Sequence, residues 1–176
     1  MEFGLNFFPS VGPATKSAEQ YFSESLRLAS LADHLGYGHV RTVEHHLNSY
    51  GGYSPNPIVF LAAVAALTRR IRLVTGAVLP IFNNPLKLAG EIGMLDAISQ
   101  GRIEVGFARA FLPHEFRRFG VPLDESRARF TEGMEMVRRM LEEEHVSTEG
   151  EFHTLRDVPS LPRPTQQPRP PFWVAA

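Results

Sequence analysis

The amino-acid sequence predicts an α/β fold built on a parallel sheet, and three observations carry that expectation. Apolar, β-branched runs alternate with helical periodicity four times before a last strand-like run. Helices open on capping devices at Ser17 to Gln20, Asn56-Pro57 and Asn84-Pro85. Strands stop at Pro9, at Glu44-His45-His46 and at Pro80, which gathers chemistry at their carboxyl ends. Such alternation implies right-handed crossovers between parallel strands. Two closures fit: a (β/α)8 barrel and an open doubly wound sheet. No Gly-x-Gly-x-x-Gly follows the first strand, so the dinucleotide fingerprint is missing.

Each element has its own signal. Residues 2–8 read as a first strand stopped by Pro9. Ser17 caps a helix, with Gln20 expected to reach back to it. Tyr21, Ser25, Leu28, Ala32 and Leu35 recur on one face, and Gly36 closes the helix. Residues 38–43 form the second strand. The helix over 58–67 is apolar nearly all round and is expected to pack on more than one side. Residues 71–79 form the third strand, 86–99 the third helix ended by Gly101, and 102–107 the fourth strand. Residues 113–122 are loop or short helix. Asp124 or Ser126 is expected to cap a fourth helix, with Phe130, Met134, Val137 and Leu141 inward. Residues 146–155 suggest a small hairpin, 158–171 an extended proline-rich connector, and 172–175 a fifth strand.

The composition is that of an ordinary globular domain: 176 residues, 43% hydrophobic and 21% charged, which suffices for one sizeable core. A formal net charge of −1 argues against nucleic acid or a membrane as a partner. The absence of cysteine excludes disulfides and thiolate metal sites. No secretory leader and no transmembrane run is visible, so a cytoplasmic location is expected.

The strand end at Val40 to His46 is the candidate site. In extended backbone, neighbouring side chains point to opposite faces, so only one of His45 and His46 faces a ligand. His45 is the expected one. A neutral imidazole there can take or give a proton near pH 7. The same geometry makes adjacent histidines poor joint metal ligands, so no metal is expected despite the nearby Glu44. Gly76 and Ala77 would let a planar ring approach the third strand closely. Arg109, among Gly106, Ala108 and Ala110, suits a phosphate, or else pairs at the surface with Glu104 or Glu115. Asp96 and Arg102 read as structural links from helix end to strand start. Phe7, Phe107, Phe111 and Trp173 are candidates to line an apolar cavity, and His114, His145 and His153 read as loop or surface residues.

Several pieces, in order and spacing, carry a family resemblance. They are Glu44-His45-His46, Asn56-Pro57-Ile58, residues 75–80 (Thr-Gly-Ala-Val-Leu-Pro), Asn84-Pro85-Leu86, residues 95–102 (Leu-Asp-Ala-Ile-Ser-Gln-Gly-Arg), residues 106–110 (Gly-Phe-Ala-Arg-Ala) and residues 116–120 (Phe-Arg-Arg-Phe-Gly). From Met1 to Ala176 the chain resembles the bacterial luciferase-like family of flavin-dependent monooxygenases. The resemblance implies a (β/α)8 TIM-barrel fold, here truncated to about five strands and four helices in a single domain over 1–176. It implies reduced FMN at the carboxyl face, acting with dioxygen on an aldehyde or another small organic substrate. A flavin reductase would supply the reduced flavin, and a deazaflavin is the alternative cofactor.

On this resemblance His45 is the catalytic imidazole, and Glu44, Thr75, Gly76, Ala77, Ala108 and Arg109 surround the cofactor. It also implies a non-prolyl cis peptide at Thr75–Gly76 or Gly76–Ala77. Ala110 stands where many relatives carry glycine. In the family, residues after the fifth strand form much of the phosphate site. The expectation is therefore either a fragment of a longer enzyme or a homodimer that buries the exposed strand edges. Two competing functions are a non-catalytic flavin-binding relative and an inactive fragment or interaction module.

Overall fold

The computed structural model describes residues 1–175. In chain order the elements are β1 (Gly4–Phe7), α1 (Ala18–Leu35), β2 (His39–Thr42), α2 (Pro57–Leu67) and β3 (Arg72–Val78). A single 3-10 turn (Pro80–Phe82) precedes α3 (Pro85–Ser99), β4 (Ile103–Phe107), α4 (Pro113–Phe119) and α5 (Ser126–Glu142). The chain continues through β5 (His145–Glu149), β6 (Thr154–Pro159) and β7 (Phe172–Val174). One sheet runs β1-β2-β3-β4-β7, parallel throughout, while β5 and β6 form a separate antiparallel hairpin. Strands follow in chain order with no reversal. That is the order of a barrel sector; a doubly wound sheet reverses at its switch point.

The sheet has two different faces. Val40, Leu73, Ile103 and Val105 are fully buried beneath the helices, where they meet Leu61, Val64, Leu88, Ile92 and Leu95. The intervening residues point the other way, as the two-residue period requires. This second face is polar: the Arg72 guanidinium pairs with Glu104, and Trp173 Nε1 donates to Glu104 Oε2 at 2.7 Å. It carries a cavity of about 500 Å³ whose walls include His39, Arg41, Arg72 and Trp173.

Local chemistry explains the helix ends. Ser17 Oγ accepts from Gln20 N at 3.1 Å, but the Gln20 side chain does not reach back. It donates instead to Glu24 Oε1 at 2.9 Å, one turn on. Asn56 and Asn84 accept from the first free N–H groups of α2 and α3, each followed by proline at the first helical position. α5 starts at Ser126 with Glu125 at the N-cap position and no side-chain cap, so neither Asp124 nor Ser126 caps it; Ser126 is already the first helical residue, and its hydroxyl accepts from Arg109.

Two helix faces depart from the expected pattern. Ser25, Ala29, Ala32 and Asp33 are the buried residues of α1, whereas Leu28 is 51% and Leu35 66% exposed. Small residues on the inner face let α1 lie close to its neighbours, so the large leucines fall outside. α2 packs on α1, α3 and β3, as its composition suggests, but Val59 and Leu67 remain exposed. The inward face of α5 matches expectation at Phe130, Met134, Val137 and Leu141, and adds Met136 and Met140. α4 is a short helix within the region read as loop or helix, and the hairpin runs from 145 to 159.

Buried polar groups tie the crossovers together. Arg102 donates to the carbonyls of Ser99, Ile71 and Ala65 and to Thr68 Oγ1, joining the end of α3 to α2 and β3. Asp96 accepts from Gln166 N and Nε2, which anchors the proline-rich connector. Asp33 Oδ1 and Oδ2 accept from the N–H groups of Arg69 (3.1 Å), Arg70 (2.9 Å) and Ile71 (2.7 Å). Burial pushes the Asp33 carboxyl up, but these N–H groups, with the Arg70 guanidinium, outweigh it and hold it below the usual carboxylate range.

A depressed folded value fixes the sign of the pH effect. The stability Asp33 contributes is present above its unfolded value of about 4 and is lost as pH falls through the lower folded value. We expect Asp33→Asn to lower the unfolding free energy by about 2 kcal/mol at pH 7. Urea unfolding between pH 7 and pH 3 should show a shallower acid loss in the variant than in the native chain.

Candidate functional site at the carboxyl end of the sheet

The site grows from the end of β2. Strand alternation persists there: Glu44 and His46 turn to one side and His45 to the other. Glu44 is buried, and both of its oxygens are engaged. Oε2 accepts from Leu79 N at 2.9 Å, and Oε1 accepts from Asn83 Nδ2 at 2.9 Å. His46 Nε2 lies 3.0 Å from the same Oε1. Glu44 thus splices the end of β2 to the end of β3.

His45 is 8% exposed and stands among aromatic rings. Its ring centroid is 5.2 Å from Tyr50, 5.7 Å from Phe8 and 6.1 Å from Phe111. The loop from Leu47 to Ser54 folds back over it. Ser54 O accepts from His45 N at 3.0 Å, and Ser54 Oγ donates to Val43 O at 2.6 Å. Gly51 sits at φ +70, and a Cβ there would lie 2.6 Å from His45 Cδ2. Only glycine meets both conditions. Behind the ring, buried Glu115 of α4 places Oε1 2.7 Å from His46 N and 3.3 Å from His45 Nδ1.

The opposite wall comes from β3 and β4. Gly76 pairs with Gly106 and Val78 with Phe107, so Ala77 is an extra residue at a bulge. The bulge turns Ala77 toward the cavity. The Gly76–Ala77 peptide is cis, one of the two expected positions. Arg41 lies across Gly76, where a Cβ would meet its Nε at 1.9 Å, and Arg41 Nη2 donates to Gly76 O at 3.3 Å. Thr75 turns its hydroxyl to β4, accepting from Gly106 N (2.8 Å) and donating to Gly106 O (2.9 Å).

Ala108 continues from β4, its N–H donating to Val78 O at 3.0 Å. Arg109 donates to Ser126 Oγ at 3.0 Å and pairs with neither Glu104 nor Glu115. Ala110 adopts φ +63, the left-handed conformation that a glycine takes freely.

His45, Glu44, Gly76, Ala77, Ala108 and Arg109 therefore line one cavity of about 490 Å³, together with Arg41, Tyr50 and Phe111. Thr75 stands behind its wall. Of the aromatic candidates only Phe111 joins His45. Phe7 packs on Phe60 in the core, Phe107 is fully buried against Phe172, and Trp173 lies on the polar face. His145 and His153 pair with Asp157 and Glu132, and His114, on α4, is partly exposed with its Nε2 turned inward.

The reading from residues missed Glu115, Tyr50, Phe8, Gly51 and Arg41. The Gly51-Gly52 pair was the available signal for a tight return of the loop; nothing local marks Glu115. Among the described residues no group of three or more His, Asp or Glu is placed to hold a metal ion, and no helix is long and apolar enough to cross a membrane.

A barrel-type parallel sheet with an imidazole, two guanidinium groups and small residues lining a cavity at its carboxyl end is the arrangement of a candidate ligand site. The chain belongs to the luciferase-like monooxygenase family, whose model matches residues 1–176. The monooxygenase RslO1 from Streptomyces bottropensis is 64% identical, with a TM-score of 0.98 over 100% of this chain and 54% of that one.

The oxygenating constituent of 3,6-diketocamphane monooxygenase from Pseudomonas putida, solved with FMN, is 26% identical. Its TM-score is 0.88 over 99% of this chain and 51% of that one. The oxygenase component of the flavin-dependent trigonelline monooxygenase of Acinetobacter baylyi is 36% identical over 163 residues, 92% of this chain and 45% of that protein. The chain thus spans about half the length of these relatives.

Gly51→Ala tests the hold on His45. It puts a Cβ into the imidazole at a positive φ, so we expect about 1–2 kcal/mol of destabilisation. The His45 ring resonances should move while those of His145 stay in place, read by histidine-labelled NMR.

Proposed function

We propose that this chain is the flavin-binding part of a monooxygenase that uses reduced FMN and dioxygen on an aldehyde or another small organic substrate. The observation that carries the reading is the convergence of His45, Ala77 and Arg109 on one cavity from three strand ends. The residues fit the cofactor: Ala77, Ala108 and Ala110 leave room for a flat ring, and Arg109 and Arg41 supply positive charge for a phosphate or an electron-rich ring edge.

Bound reduced FMN would supply the electrons that activate dioxygen. The chain's own groups do the rest. Phe8, Tyr50 and Phe111 pack against the imidazole, which is itself buried. His45 Nε2 takes or gives a proton at the reacting centre. Arg109, braced by Ser126, binds charge, and Glu44 keeps the ends of β2 and β3 in register behind it. The presence of an oxygenase component among the relatives supports a separate flavin reductase as partner.

The five-stranded sheet is read as the N-terminal part of a (β/α)8 barrel in one domain over 1–176, supported by its match to about half of the solved relatives. β1 and β7 each have one strand neighbour among the described residues, which supports a homodimer or a covering segment as the element that completes the sheet.

The test is FMN titration by fluorescence quenching, followed by oxygenation of an aldehyde panel with a flavin reductase and NADH. We expect His45→Ala to lower turnover about 100-fold or more while FMN affinity stays within about twofold. Arg109→Met should weaken FMN binding about tenfold. Unchanged turnover in His45→Ala would remove the catalytic assignment. Binding of a deazaflavin in preference to FMN would replace the cofactor.

A further inference from the structure

We propose that Glu115 is the positioning residue that fixes His45 as its Nδ1–H tautomer and so presents Nε2 to the cavity as a proton acceptor. The role in turnover rests on the flavin reading above; the tautomer stands on geometry alone. Glu115 is 1% exposed, on a helix that follows β4, yet it reaches the end of β2. Its Oε1 accepts from His46 N at 2.7 Å, which fixes that oxygen as an acceptor. The ring nitrogen facing it at 3.3 Å, His45 Nδ1, must then be the donor.

A neutral imidazole carries one N–H, so Nε2 bears the lone pair. The Cδ2 edge is closed by Gly51, where even a Cβ would sit 2.6 Å away. Nε2 has no protein partner and is not among the buried unpaired atoms, so it opens to the cavity lined by Phe111 and Ala77.

The remaining charged and titratable groups leave this assignment to Glu115. Glu44 and His46 engage each other, and Glu44 is further held by Leu79 N and Asn83 Nδ2. Arg41 and Arg109 line the cavity but accept nothing from an imidazole N–H. Tyr50 meets the ring of His45, and His114 adjoins Glu115 in the chain. Glu115 Oε2 has no partner. Its Oε1 faces both His45 Nδ1 and His46 N, so one oxygen holds the two neighbouring residues of the strand end.

The experiment is a long-range nitrogen–proton correlation spectrum of the whole protein carrying nitrogen-15 histidine, with His45 assigned by its loss in His45→Asn. In the native protein at neutral pH we expect a protonated Nδ1 and an imine-type Nε2 at His45. A protonated Nε2 would overturn the proposal without any variant at Glu115. In Glu115→Leu the His45 signals should move toward a mixture of tautomers. Turnover should fall about 10- to 100-fold with FMN affinity within about twofold.

Glu115→Gln keeps an acceptor oxygen of the same shape and should retain the tautomer, which guards against loss of fold in the leucine variant. A folded Glu115→Leu protein with the native tautomer and turnover would overturn the proposal. An active His45→Ala enzyme beside a native Nδ1–H signal would remove the catalytic role of His45 and leave the hold of Glu115 standing.

Discussion

Two buried carboxylates govern the end of β2, one on each side of the strand. Glu44 binds Leu79 N and Asn83 and so fastens β2 to β3. Glu115 binds His46 N and so fastens β2 to α4. Both are buried; Glu44 has both oxygens hydrogen-bonded, and Glu115 binds through Oε1. Strand alternation places His45 between these anchors with its ring directed into the cavity. Had the backbone slipped by one residue, His46 would occupy that place and Glu44 would have no backbone donor to meet. Register at this strand end is thus decided by polar satisfaction as much as by the hydrophobic pattern.

The same reasoning separates the two faces of the sheet. Beneath the helices β2, β3 and β4 bury aliphatic side chains such as Val40, Leu73, Ile103 and Val105, which are the residues a parallel sheet buries. The other face carries Arg41, Arg72, Glu104 and Trp173, linked by an ion pair and by the indole N–H. A polar surface of this kind gains little from dry packing. It suits a barrel interior in which charged groups pair across strands. The cavity at His45 begins where this polar layer ends, at Gly76 and the bulge that follows.

Much of the fold was legible because its determinants are local. Asn56-Pro57, Asn84-Pro85, Ser17 and Gly36 act on the N–H and carbonyl groups of their own helix, and each is found in the expected role. Legibility failed where a side chain had a choice of partners. Gln20 turned to Glu24, one helical turn away, and Ser126 fell inside the helix, where its hydroxyl accepts from Arg109. The α1 face was misjudged because residue size, not hydrophobicity, decided which side could approach the sheet. His45 and Ala77 were readable as strand-end residues. Glu115 was not, since its partners are 69 and 70 residues away and no periodicity connects them.

The β4–α4 loop shows how the distant groups are brought into one frame. Ala108 N is bonded to Val78 O, which pins the loop's start to β3. Arg109 is braced against Ser126 at the start of α5, and Ala110 takes the left-handed turn that reverses the chain. Leu112 O then accepts from Glu115 N, opening α4 with Glu115 in its first turn. One segment of eight residues, 108–115, therefore delivers a guanidinium to one wall of the cavity and a carboxylate to the back of the imidazole on the other. The chain path between the Arg109 guanidinium and the Glu115 carboxylate is this loop's backbone. A change in the length of the loop would move both groups at once, even though neither residue had been altered.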